Sequence, residues 1–261
     1  VNTKTRRATI AERLQVEGEA SITELAALYG TSEMTIRRDL ELLETAGFAR
    51  RTRGGAISVQ SRSFEPPILQ RAAHMAEDKR RIGAAAAALL RENETVVLDV
   101  GTTTLEMAKA IKDDMNVTVI TSSLLIATEL STRASVRTIV TGGVVRIGEL
   151  SLVGPRAQAS FGDLNCDTVF LGVAGVSDVK GLTDYNLDDA CVKQTAIQSG
   201  RRVVVLADAS KIGQIAFVTV APTSIVDLLI TTAPPDNPVV RRLKEQGVEI
   251  QHVEPFKKEK D

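Results

Sequence analysis

The chain has 261 residues, of which 43% are apolar and 25% charged, and its formal net charge is −1. That length accommodates one large domain or a large and a small one, and that composition excludes a disordered chain. No apolar run approaches the roughly 18–20 residues a membrane span needs, and the first residues lack a secretory apolar core, so a cytoplasmic protein with no membrane partner is expected. Cys166 and Cys191, with His74 and His252, form no metal-binding, disulfide or triad pattern; neither a metal nor a cofactor is expected.

Ile10, Ala11 and Leu14 follow helical spacing up to Gly18, a natural stop. Ser21 with Glu24 three residues on is a capping-box signal opening a short helix through Leu28, and Gly30 supplies a turn. Ser32 then caps a third helix, "EMTIRRDLELLETA", which is expected to end before Gly47. Ile36, Leu40 and Leu43 share one face of it, so Met34 and Arg38 point away, with Thr35 and Arg37 on the flanks. Two short helices joined at a glycine, the second carrying arginines near its start, describe a helix-turn-helix. "FARRTRGGAISV" adds a hairpin turning at Gly54-Gly55, a wing whose Arg50, Arg51 and Arg53 can reach phosphates or a minor groove. A lone Arg-Arg pair is most often a solvated face. Here five arginines on adjacent elements agree on double-stranded DNA, for which a local basic patch suffices whatever the net charge.

"SEMTIRRDLELLETAGFARRTRGGA" closely resembles the N-terminal signature of the DeoR/GlpR-type bacterial transcription regulators. The resemblance implies a winged helix-turn-helix with Thr35, Arg37 and Arg38 on the recognition helix. Members often carry His before the double glycine, where this chain has Arg53.

From Gln60 to Lys79 periodicity is lost, and Pro66-Pro67 cannot sit inside a helix. Residues 1–60 are therefore read as the DNA-binding domain, 61–76 as a linker with a little helix near Ile68–His74, and 77–261 as an α/β domain. An alanine-rich helix is expected from Glu77 to about Arg91. Beyond it strand-like runs alternate with helices: "TVVLDV", "VTVIT", "VRTIV", "DTVFLGV", "RVVVLAD", "IVDLLIT" and "VEIQHV". Runs of β-branched residues without alternation predict strands buried on both faces, hence a mostly parallel sheet flanked by helices. The final "KKEKD" reads as a solvated tail.

In such sheets ligands bind outside the carboxyl ends of the strands. Asp99 with Gly101, Thr102, Thr103 and Thr104, then Thr121, Ser122 and Ser123, Gly142 and Gly143, Gly172 with Gly175, and Asp208 with Lys211 stand at those ends. Glycines admit backbone N–H groups close to an anion, threonines add hydroxyls, and the next helix adds its positive end. Lys193 and Lys211 can supply point charges. Each loop alone is more often a cap or a turn; several together predict a small anionic ligand.

"LDVGTTT", "TGGVVR", "GVAGVSDVKGLTDYN", "DDACVK" and "LADASK" resemble the same family's effector domain in matching order. That resemblance implies a fold like ribose-5-phosphate isomerase that senses a phosphorylated sugar or related metabolite. It carries the phosphate loop onto Gly101–Thr104, with Asp99 bracing it and Lys193 and Lys211 facing the ligand. Asp188-Asp189 stands where members usually have a Glu pair, and Ser122 where they often have Asn.

An isomerase needs a positioned general base. The loop Leu171–Val176 contains no carboxylate, the nearest acid in sequence being Asp178, although Asp189 remains available as a base. The expectation is a regulator, most often a repressor in the resembled family, acting on a carbohydrate-metabolism operon as a homodimer or homotetramer. The alternatives are a sugar-phosphate isomerase or hydrolase with a regulatory head, or a structural DNA-binding protein whose α/β domain is empty.

Overall fold

A computed structural model describes residues 3–45, 48–58 and 62–254. The expected helix stop at Gly47 and the "KKEKD" tail lie outside them. The chain divides into two compact units, Val1–Phe64 and Glu65–Asp261.

The first unit runs α1 (Thr3–Glu17), β1 (Glu19–Ser21), α2 (Ile22–Tyr29), α3 (Glu33–Thr45), β2 (Ala49–Arg51) and β3 (Gly55–Ser58). Ser21 Oγ accepts the Glu24 N–H at 3.0 Å, and Gly30 ends α2 in the left-handed region at φ 58°. Ile36, Leu40 and Leu43 of α3 pack on Ile10, Leu14 and Leu25. Arg6 and Arg7 of α1 hold the buried Asp39 of α3 at 2.6 and 3.0 Å, fixing one helix against the other. The hairpin gains a third strand, in the order β1–β3–β2, all antiparallel. Three residues between two helices are too short a run for β1 to show a period.

The second unit continues with α4 (Ile68–Ala73), α5 (Ala76–Ala87), β4 (Thr95–Leu98), α6 (Thr102–Ala110), β5 (Val117–Thr121), α7 (Leu124–Leu130) and β6 (Val136–Val140). Then come β7 (Val144–Arg146), β8 (Ser151–Val153), α8 (Pro155–Ala159), β9 (Cys166–Gly172), β10 (Gly175–Ser177), β11 (Gly181–Asp184) and α9 (Leu187–Gln198). It closes with β12 (Gly200–Ala207), β13 (Val218–Ala221), β14 (Leu228–Thr231), α10 (Pro238–Glu245) and β15 (Glu249–His252). α5 stops short of Arg91 because the Leu89 and Leu90 N–H groups bond three residues back, to Ala86 and Ala87, and Asn93 then turns at φ 63°.

Seven strands form one sheet in the order β15–β14–β12–β9–β4–β5–β6, and every pairing in it is parallel. Neighbouring residues of one strand feed opposite cores. Val169 and Leu171 face α9 and α10, whereas Phe170 packs with Leu98, Ile82 and Met107 on the side of α5 and α6. Burial on both faces is why these strands read as unbroken apolar runs. Gly83 lets α5 and α6 cross closely, since a Cβ there would meet the Glu106 carbonyl carbon at 2.6 Å.

The chain leaves β4 toward β5 and β6, then returns to β9 on the other side of β4 and proceeds outward to β15. The reversal of strand order falls between β4 and β9, so the loops after these two strands open on one crevice. The short antiparallel pieces β7–β8 and β10–β11–β13 cover that end of the sheet. They carry no expectation from the sequence.

Candidate DNA interface and effector cleft

Arg38 is exposed on α3, opposite the buried face, and has no ion pair among the described residues. Met34 beside it is 63% exposed. Arg37 reaches only Glu33, at 3.6 Å. Ser32 and Thr35 are tied to each other: Ser32 Oγ accepts the Thr35 N–H at 3.2 Å, and the two hydroxyls lie 2.9 Å apart. In the wing Arg50 and Arg53 are exposed and unpaired among the described residues. Three of the expected contacts have another task. Arg51 Nε and its backbone N–H both donate to the Glu44 carboxylate at 2.8 Å, which clamps the wing to α3 and holds the Glu44 pKa below the usual range. The Gly54 carbonyl accepts the Ile22 N–H at 2.9 Å. A Cβ at Gly55 would stand 2.0 Å from the Ala20 carbonyl oxygen, so this glycine is required by the β1–β3 approach.

The crevice at the β4/β9 reversal holds an open cleft of about 660 Å³, solvent included. Of the expected ligand residues Gly101, Thr102, Thr103, Ser123, Asp189, Lys193 and Lys211 line it, together with Gly172. The N-terminus of α6 faces it, and neither Thr102 nor Thr103 hydroxyl has a protein partner among the described residues. The remaining expected residues stand behind or beside it. Asp99 is buried under the loop, where Oδ2 accepts the Gly172 N–H at 3.0 Å and pins the ends of β4 and β9 together. Thr104 Oγ1 donates to the Gly101 carbonyl at 3.0 Å, bracing the loop from within. Thr121 Oγ1 accepts the Ser123 N–H, Ser123 Oγ caps α7, and the Ser122 carbonyl accepts the Leu152 N–H. Gly142 donates to Ser160 Oγ at 3.3 Å; a Cβ on Gly143 would strike the Val153 carbonyl at 2.6 Å, and one on Gly175 the Gln214 carbonyl at 2.3 Å. Asp208 caps a single turn, accepting the Ser210 N–H at 2.9 Å.

Lys193 does not present a free charge. It is fully buried, donates to Asp99 and to the Gly172 carbonyl at 2.8 Å, and lies 3.3 Å from Asp184. Burial opposes its charge, but Asp99 and Asp184 together outweigh that and hold its pKa above the usual lysine value. Burial also lifts the Asp99 carboxyl to about 6 against the pull of Lys193. A lysine between two acids keeps its proton, and one of the acids yields first on acidification.

The cleft contains residues that the sequence did not single out. β11 returns Asp184 and Tyr185 beside the loop that bears Gly172, so the nearest acid there is Asp184 and not Asp178, which pairs with Arg242. β7 supplies Arg146, which lies 2.5 Å from Asp189 and 2.9 Å from Glu65. Arg71 of α4 pairs with Glu149 and with Glu65, the latter at 3.1 Å. Burial raises the Glu65 pKa while these two arginines oppose the shift. Every carboxylate lining the cleft therefore has a cationic partner. Arg146 and Asp184 lie within the quoted "TGGVVR" and "GLTDYN", where a reading restricted to glycines and strand ends passed over them.

The DeoR C terminal sensor domain matches residues 74–233, and the DeoR-like helix-turn-helix domain matches residues 6–62. Among curated proteins the chain is 34% identical to the HTH-type transcriptional regulator GlpR of Haloferax volcanii, over 94% of this chain and 96% of that one. It is 32% identical to the HTH-type transcriptional repressor GlcR of Bacillus subtilis, over 92% and 93%, and 29% to the glycerol-3-phosphate regulon repressor of Escherichia coli K12, over 93% and 96%. Ribose 5-phosphate isomerase A of Methanocaldococcus jannaschii aligns with 52% of this chain and 54% of its own, with a TM-score of 0.40 and 14% identity. With both domains and near full-length relatives in agreement, the chain belongs to the DeoR family of helix-turn-helix transcriptional regulators.

Proposed function

We propose that this regulator represses a carbohydrate-metabolism operon and releases it when a phosphorylated sugar or related metabolite enters the cleft. The observation that carries the reading is the state of the cleft's charges. Its four carboxylates, Glu65, Glu149, Asp184 and Asp189, are all held by arginine or lysine, which leaves no free base for moving a proton. The α6 N-terminus and the free Thr102 and Thr103 hydroxyls remain available to an anion.

Glu65 and Arg71 support a route from ligand to head. Both line the cleft, and Glu65 directly follows Phe64, the last residue of the first unit. A ligand that competes for Arg146 or Arg71 changes what holds the connector, and so favours one arrangement of paired heads over another. A homodimer or homotetramer on repeated half-sites is the assembly this mechanism uses.

The test is a thermal-shift panel of sugar phosphates, polyol phosphates and their unphosphorylated parents, followed by duplex release with the compounds that stabilise. Stabilisation by phosphorylated members alone, lost in a Thr102→Val/Thr103→Val double variant, is the expected result. Stabilisation by the unphosphorylated parents only, or turnover of ribose 5-phosphate, would overturn it.

A further inference from the structure

Of the thirteen large apolar side chains exposed among the described residues, six fall within twelve consecutive positions: Ile139, Val140, Val144, Val145, Ile147 and Leu150. They run from β6 through β7 into the turn before β8, and Val144 and Ile147 are 70% and 95% exposed. Together they present about 500 Å² of apolar surface, a size that marks an interaction site rather than scattered exposure. β6 is also the last strand of the seven-stranded sheet, with β5 on one side and no strand on the other. Edge strands are ordinarily guarded by charge, proline or a covering element. β15, at the opposite edge, carries Glu249, Gln251 and His252, whereas β6 carries only Arg137 and ends in Ile139 and Val140. Arg146 and Glu149, the charged residues among the twelve, are spent inward on Asp189, Glu65 and Arg71.

We infer that this face, from the end of β6 across the β7–β8 hairpin, is the contact between two copies of the chain. A two-fold contact sets a surface against itself, so any charge on it meets its like. An apolar face whose charges are turned inward suits such a contact. Two copies bring about 1,000 Å² of apolar surface to it, the area a specific interface must clear. This rests on the paired assembly proposed for the regulator and gives that assembly a location. β7 exposes Val144 and Val145 and sends Arg146 into the cleft, so one hairpin is both a wall of the cleft and half of the contact. An effector that displaces Asp189 or Glu65 from Arg146 shifts the hairpin, and with it the angle at which the copies meet.

Sedimentation equilibrium of the full chain should give a mass above that of the monomer. A Val144→Lys/Ile147→Lys variant should show half the wild-type mass with unchanged circular dichroism. Both side chains are exposed, so the substitutions remove no core contact. Val179→Lys is the control: Val179 is 79% exposed in the β10–β11 turn, outside the patch, and its variant should keep the wild-type mass. Should the double variant misfold, Ile147→Lys alone still decides, through a dissociation constant raised about tenfold or more by the like charges it introduces. An unchanged mass and dissociation constant in these variants overturns the assignment of the face and leaves the paired assembly standing on another surface. An equal loss of mass in Val179→Lys overturns the assignment as well. A wild type that stays monomeric, with the face bare or covered by a different protein, overturns the face and the paired assembly together.

Discussion

Arg38→Ala separates recognition from folding because of where α3 places that side chain. The buried face of α3 is Ile36, Leu40 and Leu43, whereas Arg38 lies on the exposed side with no ion pair among the described residues. Removing it takes away no core contact, so stability should change by no more than about 0.5 kcal/mol. If the guanidinium reads a base edge in the major groove, its loss costs about 1–3 kcal/mol, or roughly fivefold to 150-fold in affinity. The assay begins with selection of a preferred duplex from a random pool by the wild-type chain. Fluorescence anisotropy on that duplex at several salt concentrations then compares the two proteins. A base contact leaves the slope of log affinity against log salt unchanged and relaxes preference at one position. A phosphate contact lowers the slope by about one and weakens all sequences alike. Unchanged affinity and slope in Arg38→Ala, with normal melting, would remove Arg38 from the recognition role.

Lys193→Met strands two buried carboxylates, Asp99 and Asp184, and should cost about 3–5 kcal/mol, read as a lower urea midpoint with the same slope; a change below about 1 kcal/mol would show that the loop does not depend on that bridge. Gly55→Ala drives a Cβ into the Ala20 backbone and should destabilise the head by about 1–3 kcal/mol while leaving ligand-induced stabilisation of the second unit intact. The stability of the wild type should gain on that of Lys79→Met as pH rises. The folded pKa of Lys79, about 8, lies below its unfolded value of 10.5, so its contribution is complete above 10.5 and is lost as pH falls through 8. Urea unfolding at pH 7.5 and 10 should show the difference growing by about 2 kcal/mol, and a constant difference would mean the buried ammonium is solvated as in water.

Much of this protein is legible from local pattern. The Ser21 and Ser32 caps, the left-handed turn at Gly30, and the periodic face Ile36–Leu40–Leu43 are all short-range features, so the helix-turn-helix follows from neighbours in the chain. The strands of the large sheet are legible for the same reason, because burial on both faces writes an unbroken apolar run. Short strands such as β1, β7 and β10 are not, since three residues carry no period.

The site divides along the same line. Gly101, Thr102 and Thr103 form a loop between a strand and its own helix, and that local pattern in the sequence is enough to propose an anion site there. It could not determine which charges remain free to meet that anion. Lys193 reads as a ligand lysine until Asp99, ninety-four positions away, and Asp184 close upon it; Lys79, on α5, reads as one of many helix lysines until the fold buries it against the Arg71 carbonyl, with Asp208 at longer range favouring its charge. Those outcomes depend on pairs brought together by the crossing from β6 back to β9 and by the return of β11. Charge neutralisation acts over a few ångströms of space, so only the tertiary structure decided it.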